Sequence, residues 1–273
     1  MRRSRVQFPP RALIRMRSSY YSVVDAIKSE TDSFGLIIMD RDEFQTEVLE
    51  VARSAQNYRK WICRLTFPYL GDNAIELGSG LGDHATEWLR MGAKKITLLE
   101  RSPTRVDALE RLFTNDARVS VQKVDSDSKI RLEKLTYSCF ISLNVLEHIN
   151  DDKAVFEAAY RALRDDGVFV AFVPAHNFLF SRFDKKIGHL RRYSKGLMRR
   201  RMIDAGFKIE EIHYVNFAGW FAWLIGMRIL RLNPEDGILL TFWDRVIVPL
   251  SSVSEKLITP PFGQSIIAIG MKK

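Results

Sequence analysis

Cysteine is scarce in this chain of 273 residues: there are two, Cys63 and Cys139, both inside apolar segments. There is no C-x-x-C pair and no Cys/His cluster, so no metal is expected and both thiols are expected to be buried and free. Long hydrophobic runs are missing too. No stretch of 18 apolar residues exists, which excludes a spanning helix by the usual length criterion. The N-terminus lacks the apolar core of a secretory leader, and no internal repeat or low-complexity segment interrupts the chain. A cytoplasmic protein is expected.

Acidic residues are absent from residues 1–17, which hold six arginines. Residues 182–201 hold nine Lys/Arg against Asp184 alone. These two segments together carry +14 of a net +9, so the rest of the chain is about −5. The basicity is local, and general nucleic-acid binding follows less readily than a whole-chain pI of 9.6 implies. Residues 1–39 read as a basic segment that is disordered or mis-annotated. One back-translation of Ser4 to Pro10 contains a self-complementary stem that resembles the T-arm of a tRNA gene, so the true start is expected nearer Met16.

From residue 40 on, the chain reads as one domain to residue 273. Phe44, Val48, Val51, Ala52, Ala55, Tyr58, Ile62 and Leu65 recur at helical spacing, with a break near Ser54 and an end at Pro68 and Gly71. Strands follow at 74–77, 95–100, 118–124, 137–143 and 167–173, alternating with helices at 83–91, 103–113 and 151–164. Such alternation means a parallel sheet covered on both faces. The basic, aromatic segment 174–198 breaks the rhythm. A helix at 196–205, a strand at 207–215 and a last strand near 264–270 complete the pattern. Between those last two strands lies an apolar stretch, 217–258.

The densest signal is Glu76-Leu77-Gly78-Ser79-Gly80-Leu81-Gly82, a short apolar strand running into three glycines and then a helix. Glycines there let the backbone approach a ligand closely. Glu100 closes the next strand, where a carboxylate can accept from both hydroxyls of a ribose. The pair points to a nucleoside ligand, although G-x-G-x-G is not the dinucleotide spacing.

Together with Asp125 after the third strand, Asn144-Val145-Leu146-Glu147-His148-Ile149 after the fourth, and Asp165-Asp166-Gly167-Val168-Phe169 entering the fifth, this set resembles the class I S-adenosylmethionine-dependent methyltransferases. The resemblance covers residues 44–215 and the last strand. It implies a Rossmann-like seven-stranded α/β sheet with an N-terminal helical cap and an apolar helical insertion before the last strand. It also implies S-adenosylmethionine as cofactor. Tyr58, Glu76, Gly78, Ser79, Gly80, Gly82, Glu100, Arg101, Asp125, Ser126, Asn144 and Glu147 would contact it. Glu76 would meet the methionine amino group, Glu100 the ribose, and Asp125 and Ser126 the adenine edge.

A bacterial subgroup pattern is also present. Asn57-Tyr58 with Trp61 resembles its NY-x-x-W segment. Pro174-Ala175-His176, Asp184 and Gly188-His189-Leu190-Arg191-Arg192-Tyr193 resemble its VPA…D…GHxRRY loop. Such members resemble neighbours of glycosyltransferases acting on lipid-linked sugars. The expected activity is therefore O-methylation of a small or lipid-linked, sugar-type acceptor. Histidine is the base suited to an oxygen acceptor near neutral pH, and His148 and His189 rank above His176. The arginine forks of Arg191 and Arg192, beside Tyr193 and His176, would recognise an anion on the acceptor. The insertion would rest on a membrane surface at the cytoplasmic side or pair two copies through 217–250, with Arg228, Arg231 and Arg245 at headgroups. A nucleic-acid methyltransferase is the first alternative, weakened because Asn144-Val145-Leu146 stands where such enzymes carry Asn/Asp-Pro-Pro. A cofactor-binding scaffold without catalysis is the second.

Overall fold

Four residues, Ala74–Leu77, make the first strand (β1), and all four are buried. Strands β2 (Ile96–Glu100) and β4 (Tyr137–Leu143) are likewise buried along their whole length. That is why these segments read as apolar runs rather than alternating ones: helices cover both faces. The computed structural model describes residues 41–124, 130, 132–229 and 237–273. The expectation for residues 1–39 lies outside them. Arg41–Lys273 form one compact unit.

Helices α1 (Arg41–Ala52) and α2 (Gln56–Thr66) precede the sheet. The break between them falls where it was read, at Ser54. Then come β1, α3 (Asp83–Arg90), β2, α4 (Pro103–Phe113), β3 (Val119–Lys123), β4, α5 (Asp152–Ala162) and β5 (Leu163–Pro174). The rest is α6 (Arg182–Ile187), α7 (Lys195–Asp204), β6 (Lys208–Val215), α8 (Phe217–Ala222), α9 (Gly237–Phe242), α10 (Val248–Leu257) and β7 (Ser265–Met271). Wider helical turns at Trp223–Ile229 and Trp243–Ile247 extend α8 and join α9 to α10.

The seven strands are ordered β3-β2-β1-β4-β5-β7-β6. The sheet is not wholly parallel: β7 runs antiparallel to both β5 and β6. The cause is the insertion, which returns the chain to the edge it left. Gln264 N donates to Asn216 O (3.0 Å) and Ser265 lies opposite Val215. A strand that begins where its neighbour ended has to run the other way. Residues of one strand alternate between two cores. Ile75, Leu77 and Phe140 enter one, while Ala74, Cys139 and Ile141 enter the other together with Ile62 and Cys63 of α2. Both cysteines are buried and free. The order reverses between β1 and β4, and a crevice at the carboxyl ends of these strands is where such sheets hold ligands.

Candidate functional site

A cavity of about 340 Å³ opens there. Its floor includes Gly78, Ser79 and Gly80 from the β1–α3 turn, Glu100 and Arg101 after β2, and Asn144, Val145 and His148 after β4. Its roof is α1 and α2, through Gln45, Leu49, Tyr58, Arg59 and Ile62. Gly78 has φ +70°, and a Cβ there would stand 2.5 Å from Val145 Cγ2. A side chain would drive the two halves of the floor apart. Asn144 also has positive φ (53°), so the chain turns sharply where β4 meets the cavity.

Glu100 is 4% exposed and heavily engaged. Its Oε2 accepts from Gly80 N (2.9 Å). Its Oε1 accepts from Arg101 N (2.8 Å), Ser102 N (2.9 Å) and Arg105 Nη2 (3.0 Å). Oε1 is saturated, so only Oε2 retains a lone pair for a ligand. Arg105 continues the network to α1, donating to Asp42 Oδ1 and Thr46 Oγ1, each at 3.0 Å. Roof and floor are thereby tied through one buried guanidinium.

Glu76 is 1% exposed, and its Oε2 has no hydrogen-bond partner among the described residues. Burial pushes its carboxyl up to about 8, with Ser79 opposing and Glu100 and Asp83 reinforcing the rise. Burial also pushes His84 down to about 4. Their 3.7 Å approach is therefore a contact of two neutral groups near neutral pH, not an ion pair. Tyr58 lines the cavity with its ring 4.9 Å from that of Trp243. Burial lifts its hydroxyl to about 12. The N-terminus of α2 has no cap of its own. Asp244 of the insertion supplies one, accepting from Asn57 N (3.1 Å) and Tyr58 N (2.9 Å).

The loop after β5 folds around Asp184. Ser181 and Asp184 form a capping box at the start of α6. Asp184 Oδ1 meets His189 Nδ1 (2.7 Å), and Arg192 donates to both of its oxygens through Nε (2.9 Å) and Nη2 (3.0 Å). Burial alone would raise the Asp184 carboxyl, but the bonds to His189, Arg192 and Ser181 hold it below its usual value. His189 Nε2 approaches Glu147 Oε1 at 3.6 Å. Glu147 is fully buried, and neither of its oxygens has a hydrogen-bond partner among the described residues. Burial pushes it up to about 7, against the pull of His189. His148 packs edge-on against His189 at 4.7 Å, and its Nδ1 lies 3.2 Å from Gly188 O. One atom each of Glu147, His148 and His189 falls within 4.8 Å of the others, a set able to hold a cation. Spacing along the chain gave no sign of this trio, because His189 lies far from the other two.

Several expected substrate contacts are turned elsewhere. Arg192 is 2% exposed, paired with Asp184 and set 4.5 Å over the Trp223 ring. Arg191 donates to the carbonyls of Ile149 (2.6 Å) and Asn150 (3.0 Å). Tyr193 is buried and donates to Asp152 Oδ2 (2.8 Å), which Arg201 also binds. His176, with positive φ, stacks on Tyr214 at 4.7 Å, and its buried Nε2 lacks a partner. None of these four lines the cavity. The reason is that two acids, Asp184 and Asp152, draw the loop's polar groups inward. Asp125 and Ser126 lie outside the described residues.

Residues 75–171 match the model of a family described as a methyltransferase domain. A comparison with curated proteins found no match. Among solved structures, a putative methyltransferase from Haloferax volcanii, in complex with the activator Trm112, is similar at TM-score 0.59 and 14% identity, over 86% of this chain and 99% of that one. An S-adenosylmethionine-dependent methyltransferase from Mesorhizobium loti is similar at TM-score 0.55 and 16% identity, over 77% and 96%. A geranyl diphosphate methyltransferase solved with geranyl diphosphate and sinefungin is similar at TM-score 0.55 and 13% identity, over 77% and 76%. Residues 75–171 are therefore similar to a methyltransferase domain, and the chain shares the fold of the class I S-adenosylmethionine-dependent methyltransferases.

The cavity's own residues fit S-adenosylmethionine. It offers a floor that a Cβ at Gly78 would spoil, a buried carboxyl oxygen of Glu76 without a partner, and a ring of polar groups from Glu100 to Asn144. Arg59 and Gln45 line it as well, and sequence reading missed both. No motif marks them: they enter only because α1 and α2 fold over the crevice.

Proposed function

We propose that this methyltransferase transfers the methyl group to a hydroxyl oxygen of a small or lipid-linked, sugar-type acceptor, with His148 as general base. The observation that carries this reading is the setting of His148. It lines the cavity, and its Nδ1 faces the carbonyl of Gly188 at 3.2 Å. A carbonyl only accepts, so Nδ1 carries the proton and Nε2 the basic lone pair. The cofactor, when bound, supplies an electrophilic methyl on a sulfonium whose departure needs no protein acid. The chain's task is to position and deprotonate the acceptor.

The residues proposed to hold the cofactor are Gly78, Ser79 and Gly80 by backbone approach, with Gly82 ending the turn. Glu100 acts through Oε2, Glu76 faces the methionine ammonium, and Tyr58, Arg101 and Asn144 complete the wall. Glu147 backs the imidazoles, and His189 is a positioning residue, fixed by Asp184 and packed on the His148 ring. An anion on the acceptor has no partner in Arg191 or Arg192, both of which serve protein groups.

Labelled cofactor incubated with a lipid extract and with free sugars tests the acceptor class. His148→Gln should cut turnover by about 10²–10⁴-fold while leaving the affinity for S-adenosylhomocysteine unchanged. Label appearing only in RNA, or full turnover in His148→Gln, would overturn the reading.

A further inference from the structure

The segment between β6 and β7 turns its acids inward and its apolar side chains outward. Asp244 is buried and spends its carboxylate on the N–H groups of Asn57 and Tyr58. Glu255 accepts from Asn216 N (3.0 Å) and Phe217 N (2.8 Å). These are the only acids between residues 240 and 258. On the other side, Phe242, Val246, Leu250, Val253 and Leu257 are 57, 40, 65, 60 and 82% exposed. Steps of three and four residues place them along one helical face, roughly 22 Å long at ~1.5 Å per residue. Arg245 and Lys256, adjacent to Val246 and Leu257, are exposed. An apolar stripe with cationic flanks and no outward acid is the result.

We infer that this face docks on the surface of an anionic lipid bilayer, with the stripe at the acyl boundary and Arg245 and Lys256 among the headgroups. Among the described residues no helix is long and apolar enough to cross a membrane, so the stripe lies in the interfacial plane. Charge selects the occupant. A two-fold-related second copy would bring the same cationic flanks together, whereas anionic headgroups neutralise them. The inner side of the same segment packs on a cavity wall, since Trp243 lies against Tyr58. Docking therefore holds the cavity close to the bilayer, whatever the acceptor is.

The test is sedimentation of the full chain with vesicles of phosphatidylcholine alone and with phosphatidylglycerol added. The wild-type chain is expected to bind the anionic vesicles. Residues 1–17 carry six arginines, so salt-sensitive retention alone does not decide. The decisive variant is Leu250→Glu with Leu257→Glu, expected to weaken binding at least about tenfold with affinity for S-adenosylhomocysteine unchanged. Arg245→Glu with Lys256→Glu should weaken binding to anionic vesicles only. Absence of vesicle binding, or binding unchanged in the leucine pair, overturns the inference. A dimer in light scattering that the leucine pair dissolves would assign the face to a second copy and overturn it too.

Discussion

Replacing Glu100 with Gln changes one atom and should cost both fold and ligand. Four N–H donors converge on this carboxylate: Gly80 N on Oε2, and Arg101 N, Ser102 N and Arg105 Nη2 on Oε1, all between 2.8 and 3.0 Å. Glutamine offers one oxygen and one NH₂. Its better orientation puts the oxygen in place of Oε1 and sets the NH₂ against Gly80 N–H. One buried donor is then unsatisfied, at about 1–3 kcal/mol. The three surviving bonds lose their charge assistance, at roughly 0.5–1 kcal/mol each. Arg105 keeps Asp42 at 3.0 Å, so its charge is not stranded. The sum is about 2.5–6 kcal/mol, a large part of an ordinary domain's stability, equivalent to a fall in Tm of about 5–20 °C for a chain of this size. Gly80 is also the floor of the cavity, so affinity for S-adenosylhomocysteine should fall about 10–100-fold with the lost charged bond and the loosened turn. Chemical denaturation and titration calorimetry read the two effects separately. A loss below about 1 kcal/mol with unchanged affinity would refute the claim that Glu100 organises the turn.

Three further outcomes follow from the same geometry. Burial raises Glu76 from 4.5 to about 8, so the folded state holds its proton more tightly than the unfolded chain, and stability falls as pH rises across that interval. In Glu76→Gln that decline should vanish, making the variant progressively more stable than wild type toward pH 8 in urea titrations; a gap independent of pH would sink this. Gly78→Ala must accept φ +70° and a Cβ 2.5 Å from Val145. It should lose at least about tenfold in S-adenosylhomocysteine affinity, with about 1–2 kcal/mol of backbone strain, and calorimetry showing wild-type affinity would contradict it. Asp244→Ala removes the side-chain cap of α2 and should cost about 1–2 kcal/mol, with Asp244→Asn between it and wild type; a loss below about 0.5 kcal/mol would mean that water replaces the cap.

The fold was legible because its signals are local. β1, β2, β4 and the later half of β5 are largely apolar runs punctuated by glycine and capping residues, and the G-x-G-x-G turn stands beside a carboxylate that the sheet brings to it. Each of those signals lies within a few residues of the element it marks. The antiparallel last strand was not legible, because its direction is set by where the insertion returns: Gln264 meets Asn216 across 48 residues. The acceptor loop was misread for a related reason. A run of Lys and Arg shows charge but not its partners, and the roles of Asp184 and Asp152 appear only when the loop closes on them. Burial decides the matter: a guanidinium 2% exposed answers to the carboxylate beside it, not to solvent.

Two long-range acids join separate parts of this enzyme, and both act on backbone N–H groups. Glu100 gathers the turn of the cavity floor and, through Arg105, holds α1 above it. Asp244 reaches from the insertion to the start of α2, which carries Tyr58 and Arg59 in the roof. The roof is thus fastened at one end to the cofactor turn and at the other to the segment whose outer face is apolar. Neither tie can be replaced by a hydrophobic contact, because N–H donors at a helix start or a glycine turn need an acceptor once water is excluded. The segment bearing the outer face thus meets the roof at two points, Trp243 on Tyr58 and Asp244 on the start of the helix that bears it. Displacing that helix moves Tyr58 and Arg59 together, while Glu100 and Gly80 stay with the sheet. Asp244 and Trp243 of the insertion thus meet the site at its roof, on the start of α2 and the Tyr58 ring.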